Sequence, residues 1–214
     1  MSERTTASKR GMKKVGTSRS AAAGSARAAR PRARTIYTGK LITIRQIPVT
    51  HADGSTTPYE IVGHPDAVAI VAIRYDPAPT REPYAEPRVA LVRQRRPAVG
   101  KDLLEIPAGL VEPEERDHPD LTAVRELREE TGFLASDWQL LTRVFTSPGF
   151  TNEAISIYLA RSLEQIPGAA PDPHEIDSLE WMPLAEALNL VRDGAIDDSK
   201  SVIGLLLARD ALGR

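Results

Sequence analysis

Residues 109–133 read GLVEPEERDHPDLTAVRELREETGF, a run of acids whose spacing suits metal chemistry. If the second half is helical, Glu126 and Glu130 are i, i+4 neighbours and Glu129 follows Glu126 by one turn, so at least two carboxylates share an edge. Like charges repel at this spacing, and Arg125, four residues ahead of Glu129, offsets only part of the repulsion. A hard divalent cation docked on that edge would offset the rest. Mg²⁺ takes oxygen ligands, keeps several waters and usually binds one or two carboxylates together with substrate phosphates; Mn²⁺ accepts a similar oxygen set. Taken by itself, E-L-R-E-E also reads as an ordinary solvated helix face. The chain has no cysteine, which excludes thiolate ligands, thiol nucleophiles and disulfides and points to a reducing, cytoplasmic address.

The helix that would carry these acids is expected over residues 120–131, with Leu121, Val124 and Leu127 facing inward and Gly132 ending it. Residues 40–48 and 58–62 read as a hairpin around a turn at Ala52, Asp53, Gly54 and Ser55. The apolar, β-rich runs 66–74 and 88–95 are expected to pair in a buried sheet, because the Pro-rich stretch 77–87 can continue neither. Residues 140–145 and 154–160 read as further strands, and 184–192 and 199–212 as helices. The sum is an α+β domain, a mixed β-sheet between helices in an α/β/α sandwich, preceded by a small antiparallel β unit. The longest apolar runs, 67–73 and 202–208, fall far short of the roughly 20 residues that cross a bilayer, so no membrane span is expected.

A net charge of −1 over 214 residues hides an asymmetry. Residues 1–34 hold ten Lys or Arg against Glu3 alone, a balance of +9, and the remainder carries −10. This leader is rich in Ser, Ala and Gly with almost nothing large and apolar to bury, so it is expected to stay disordered. Counterion release could let it bind nucleic acid, but it lacks interleaved aromatics and a folded reader, which favours a plain solvated extension.

The glycine loop, the acids after it and R-E-L-R-E-E-T-G-F together resemble the box of the Nudix hydrolase family. That box runs Gly, five residues, Glu, seven residues, then Arg-Glu-aliphatic-x-Glu-Glu-x-Gly-aliphatic. Counted forward from Gly109 the loop acid is Glu115, but nine residues rather than seven then precede Arg125. Counting back from Arg125 reaches Asp117, so Glu114, Glu115 and Asp117 compete for that place, with Glu115 preferred. The resemblance implies that Glu126 and Glu130 are Mg²⁺ ligands, Glu129 a further ligand or water holder, the Ala108 carbonyl a member of the same set, and Arg125 an internal clamp. It also implies hydrolysis in which two or three Mg²⁺ ions neutralise a diphosphate and activate a water. On this basis the chain divides into a basic tail (1–34), an N-terminal β-hairpin and dimerisation unit (35–63) and a Nudix hydrolase domain (64–214).

Outside the box, residues 94–97 (QRRP), 104–109 (LEIPAG), 147–153 (SPGFTNE) and 195–207 (AIDDSKSVIGLLL) are similar to ADP-ribose pyrophosphatases. Pro148 lies sixteen residues beyond Gly132, where that branch places a proline. The resemblance implies cleavage of ADP-ribose or a related nucleoside diphosphate sugar to AMP and a sugar phosphate. The alternatives are another nucleotide substrate or a fold that senses ADP-ribose without turnover, and the intact Arg125, Glu126, Glu129 and Glu130 speak against the latter. Glu153 ends a turn-rich loop ahead of an apolar strand; it is a candidate to orient or deprotonate the attacking water or to bind a further ion, or else a solvated turn residue. Arg96 is a candidate contact to the diphosphate and Glu105 to metal or substrate, though both also read as strand-end charges. Tyr59 falls where related enzymes place an aromatic that stacks on adenine across a homodimer of N-terminal strands, or it packs within its hairpin. His51, His64, His118 and His174 show no ligand-like spacing and read as surface histidines.

Overall fold

The computed structural model describes residues 32–75, 86–169 and 176–213. The expected hairpin is present and carries a third strand: β1 (Arg34–Thr38), β2 (Thr43–Thr50) and β3 (Thr56–Gly63) form an antiparallel sheet in that order. Its turn lies where the sequence puts it. Gly54 takes a φ of 84°, which favours glycine, and Asp53 Oδ1 accepts hydrogen bonds from the Ser55 amide and hydroxyl. β1 departs from expectation by beginning at Arg34, inside the span read as tail, because Arg34 and Thr35 pair with Gln46 and Arg45 of β2. Residues 1–31, the greater part of that span, lie outside the described residues, as does His174.

The layered domain follows in the order β4 (Ala67–Tyr75), β5 (Pro87–Arg96), β6 (Lys101–Glu105), β7 (Ala108–Leu110), α1 (Pro119–Thr131), β8 (Phe133–Phe145), β9 (Ala154–Gln165), β10 (Ser178–Pro183), α2 (Leu184–Arg192) and α3 (Ser199–Ala211). The strands run β10-β5-β4-β9-β8, with β6 on β5 and β7 on β4. β4 and β5 pair antiparallel as expected, while β4 and β9 pair in parallel, so the sheet is mixed. A strand that is apolar on both faces must be central, and β4 is buried from Ala67 to Ile73. Its alternation then splits the core. Ala69, Val71 and Ile73 pack with Leu184, Leu188, Leu205 and Ala208 of α2 and α3, whereas Val68, Ile70 and Ala72 pack with Ala123 and Leu127 of α1 and with Tyr158. This is the expected α/β/α sandwich, a mixed sheet between helices.

Three local expectations change. β8 is far longer than residues 140–145, because its N-terminal half pairs with the C-terminal half of β9. β10 forms where no strand is legible, since none of its six residues is β-branched and its pairing to β5 is wholly non-local. On α1, Leu127 is buried, but Leu121 and Val124 are exposed; the inward face is instead Thr122, Ala123, Glu126, Leu127 and Glu130. The helix ends as expected at Gly132, with a φ of 73° and its amide donating to the Arg128 carbonyl. No helix among the described residues is long and apolar enough to cross a membrane.

Candidate active site

The face that α1 turns inward carries its acids: Glu126 and Glu130 are only 7% and 4% exposed. Both border a cleft of about 760 Å³, together with Ala108, Arg96, Lys200 and Glu153. Arg125 ties the helix to the loop before it. Its Nη1 donates to Glu126 Oε1 (2.6 Å) and Glu129 Oε2 (3.3 Å), and its Nη2 donates to Glu115 Oε2 (3.2 Å) and the Leu110 carbonyl (3.3 Å). Burial alone would lower the Arg125 pKa, but the bond to Glu115 and the charges of Glu126 and Glu115 outweigh it and keep the guanidinium firmly charged. Glu115 also accepts from the Thr122 hydroxyl at 2.8 Å, while Glu114 and Asp117 are exposed. The 3₁₀ turn Pro113–Glu115 absorbs the extra loop length, so Glu115 is the one of the three competing acids that reaches Arg125.

Glu130 Oε2 accepts the Ala108 amide at 2.9 Å. Burial, with the neighbouring Glu126 charge adding to it, pushes Glu130 up to about 8 against the opposing effects of that amide, Arg96 and Lys200. Gly109 makes the close approach of loop and helix possible, since a Cβ there would fall 2.0 Å from the Glu126 carboxylate carbon. These residues fit a hard divalent ion. A buried carboxylate with a raised pKa beside a second carboxylate is the arrangement a cation relieves. Among the described residues no three His, Cys, Asp or Glu side chains form a metal cage by themselves.

The wall facing these acids is cationic. Glu105 is 1% exposed and does not open onto the cleft; it accepts a fork from Arg96 (Nε at 2.9 Å, Nη2 at 2.7 Å) and a further bond from Lys200 Nζ. Burial would raise Glu105, but the Arg96 bond and the Lys200 charge prevail and hold it below the usual carboxylate range. Where the sequence suggests direct contact with metal or substrate, the geometry makes Glu105 the anchor of two cations. Lys200 is a residue that sequence reasoning missed; the available signal was DDSKS, in which Asp198 caps α3 through the Ser201 amide and binds Lys200 Nζ at 2.8 Å.

Glu153 borders the same cleft, its Oε2 accepting from the Thr146 hydroxyl at 2.7 Å. Its Oε1 lies 3.1 Å from Nδ1 of His64, whose side chain is 17% exposed. His64 is thus a cleft residue and not the surface histidine its spacing suggests, because the contact spans a long-range fold neighbour that no local pattern reports. Two candidates are not brought to the cleft within one chain. Glu129 is half-exposed beside Arg125 and Arg128, and Tyr59 is 44% exposed opposite Ile47 on the N-terminal sheet.

The family model for the NUDIX domain matches residues 65–203. Over 175 residues the chain is 36% identical to the ADP-ribose pyrophosphatase of Mycobacterium tuberculosis (strain ATCC 25618 / H37Rv), spanning 80% of this chain and 78% of that protein. Over 171 residues it is 36% identical to the methanol dehydrogenase activator of Bacillus methanolicus, spanning 79% and 86%. A solved structure of an ADP compounds hydrolase is similar at a TM-score of 0.70 and 25% identity, covering 85% of this chain and 92% of that one.

Proposed function

The chain belongs to the NUDIX domain family and is a Nudix hydrolase, and we propose that it splits the diphosphate of ADP-ribose or a related nucleoside diphosphate sugar into AMP and a sugar phosphate with Mg²⁺ bound. The observation that carries this reading is a cleft with an acidic helix edge, Glu126 and Glu130, facing a cationic wall of Arg96 and Lys200. A diphosphate held through a cation uses both sides at once, and the similarity to an ADP-ribose pyrophosphatase over 80% of the chain supports the sugar nucleotide.

Glu126, Glu130 and the Ala108 carbonyl would hold Mg²⁺, with Glu129, outside the cleft on the exposed side of the helix, reaching it only as a water holder; when bound, the ion would neutralise the diphosphate, polarise phosphorus and acidify a water. Arg96 and Lys200 donate to the non-bridging phosphate oxygens, their side chains set by the shared Glu105. Arg125 keeps the Glu126 carboxylate in place and ties Glu115 to the helix. Glu153 orients the attacking water and accepts its proton. A homodimer through the N-terminal strands is part of the same proposal; the exposed Ile36, Tyr37, Val49 and Tyr59 of that sheet support it and would carry Tyr59 toward an adenine.

Incubating the protein with Mg²⁺ and ADP-ribose, other sugar nucleotides or dinucleoside polyphosphates, then identifying products, tests reaction and substrate together. AMP from ADP-ribose, lost on chelation and in Glu130→Gln, is the expected result. Turnover unchanged in Glu130→Gln would remove the acidic edge from the chemistry, and preferential cleavage of dinucleoside polyphosphates would replace the substrate.

A further inference from the structure

The link between the N-terminal sheet and β4 is stitched to the loop that ends in Glu153. The Val62 amide donates to the Phe150 carbonyl (2.7 Å), and Val62 bridges Thr151 in parallel. The His64 amide donates to Asn152 Oδ1 (3.0 Å), and Asn152 Nδ2 donates back to the His64 carbonyl (3.4 Å). All of these bonds use backbone atoms of Val62 and His64, so the seam does not need the imidazole. The ring has a different task.

His64 Nδ1 lies 3.1 Å from Glu153 Oε1 and 2.8 Å from the Pro65 carbonyl. A carbonyl accepts, so Nδ1 carries the hydrogen and donates it to Pro65, and the polar N–H edge of the ring lies in close electrostatic contact with Glu153 Oε1. The other carboxylate oxygen, Oε2, takes the Thr146 hydroxyl at 2.7 Å. Glu153 is therefore hydrogen-bonded at one oxygen by the residue after β8 and flanked at the other by the imidazole from the link before β4. Its side chain is 23% exposed, so both contacts are largely shielded from competing water. A group that must meet a water at a defined angle needs such fixing, since a free glutamate rotamer on a turn-rich loop spreads over many positions.

We propose that His64 is the positioning residue for Glu153: it fixes the carboxylate toward the cleft without itself touching the reacting atoms. The proposal rests on the reading of Glu153 as the group that handles the attacking water. With ADP-ribose and Mg²⁺, His64→Ala is expected to lower kcat roughly 10- to 100-fold, the usual cost of losing a group that orients a site residue, while KM stays within about twofold. His64→Asn, whose amide nitrogen falls near the place of Nδ1, should recover most of the loss. The double variant His64→Ala/Glu153→Gln should be no slower than Glu153→Gln alone, because both changes remove one function. In the metal-free protein, ¹⁵N-histidine NMR should show Glu153→Gln moving the His64 ring signals and leaving those of His51 and His118 in place.

Full kcat in His64→Ala beside a loss in Glu153→Gln would overturn this assignment alone. So would losses that multiply in the double variant, or a His64 ring signal blind to Glu153→Gln. Full kcat in Glu153→Gln would overturn the reading of Glu153 and this assignment with it.

Discussion

Glu130 titrates near 4.5 in an unfolded chain and at about 8 in the fold, where burial and the Glu126 charge oppose its ionisation. Between those values the folded protein holds a proton that the unfolded chain has released, so stability falls as pH rises through that window and levels off above it. Thermal melts of the metal-free protein from pH 5 to 9 are expected to show the decline, and Glu130→Gln to lose it. Added Mg²⁺ should raise the melting temperature more at pH 8 than at pH 5, because the ion needs the ionised carboxylate. Gly109→Ala tests the same edge by geometry. A Cβ there overlaps the Glu126 carboxylate, the far end of a side chain that can swing aside. Melting should change little while kcat/KM for ADP-ribose drops by about 10²-fold, the scale expected when a reacting group is misplaced by an ångström. The Glu126 and Glu130 pair was legible because i, i+4 spacing is local. That Glu115, rather than Glu114 or Asp117, reaches Arg125 was not, because the 3₁₀ turn at Pro113–Glu115 decides where each side chain points.

At the scale of elements, α1 shows how an apolar tally misleads when the helix serves a site. Leu121, Val124 and Leu127 suggest an apolar stripe, but the helix is rotated so that Glu126 and Glu130 enter the cleft and only Leu127 of the three is buried. Leu127→Ala is accordingly expected to cost about 2–5 kcal/mol in urea denaturation, and Leu121→Ala less than about 0.5 kcal/mol. Equal losses would mean that the helix packs as the stripe suggests. The remaining helices were readable to within a residue or two, since α2 has clear apolar periodicity and α3 has an aspartate cap. β10 was not, because its partner β5 lies far back in the chain and supplies the reason for its extended form.

For the molecule as a whole, the basic leader and the rest of the chain differ in composition and charge. A protein beginning at Arg32 keeps β1 and every cleft residue, so its kcat and KM for ADP-ribose should match those of the full chain; a loss of turnover would give residues 1–31 a part in catalysis. What the sequence determined by itself was everything written in short range: the buried strand that must be central, the helices, the turn at Gly54, and an acidic box whose spacing calls for a cation. Only the tertiary structure decided which acids line the cleft and which are buried against cations. Glu105 meets Lys200 across 95 residues, and the His64 amide meets Asn152 across 88, so neither contact leaves a periodic trace. The physical reason is that spacing along a chain dictates which residues share a face, whereas burial and hydrogen-bond partners depend on what the fold lays against that face.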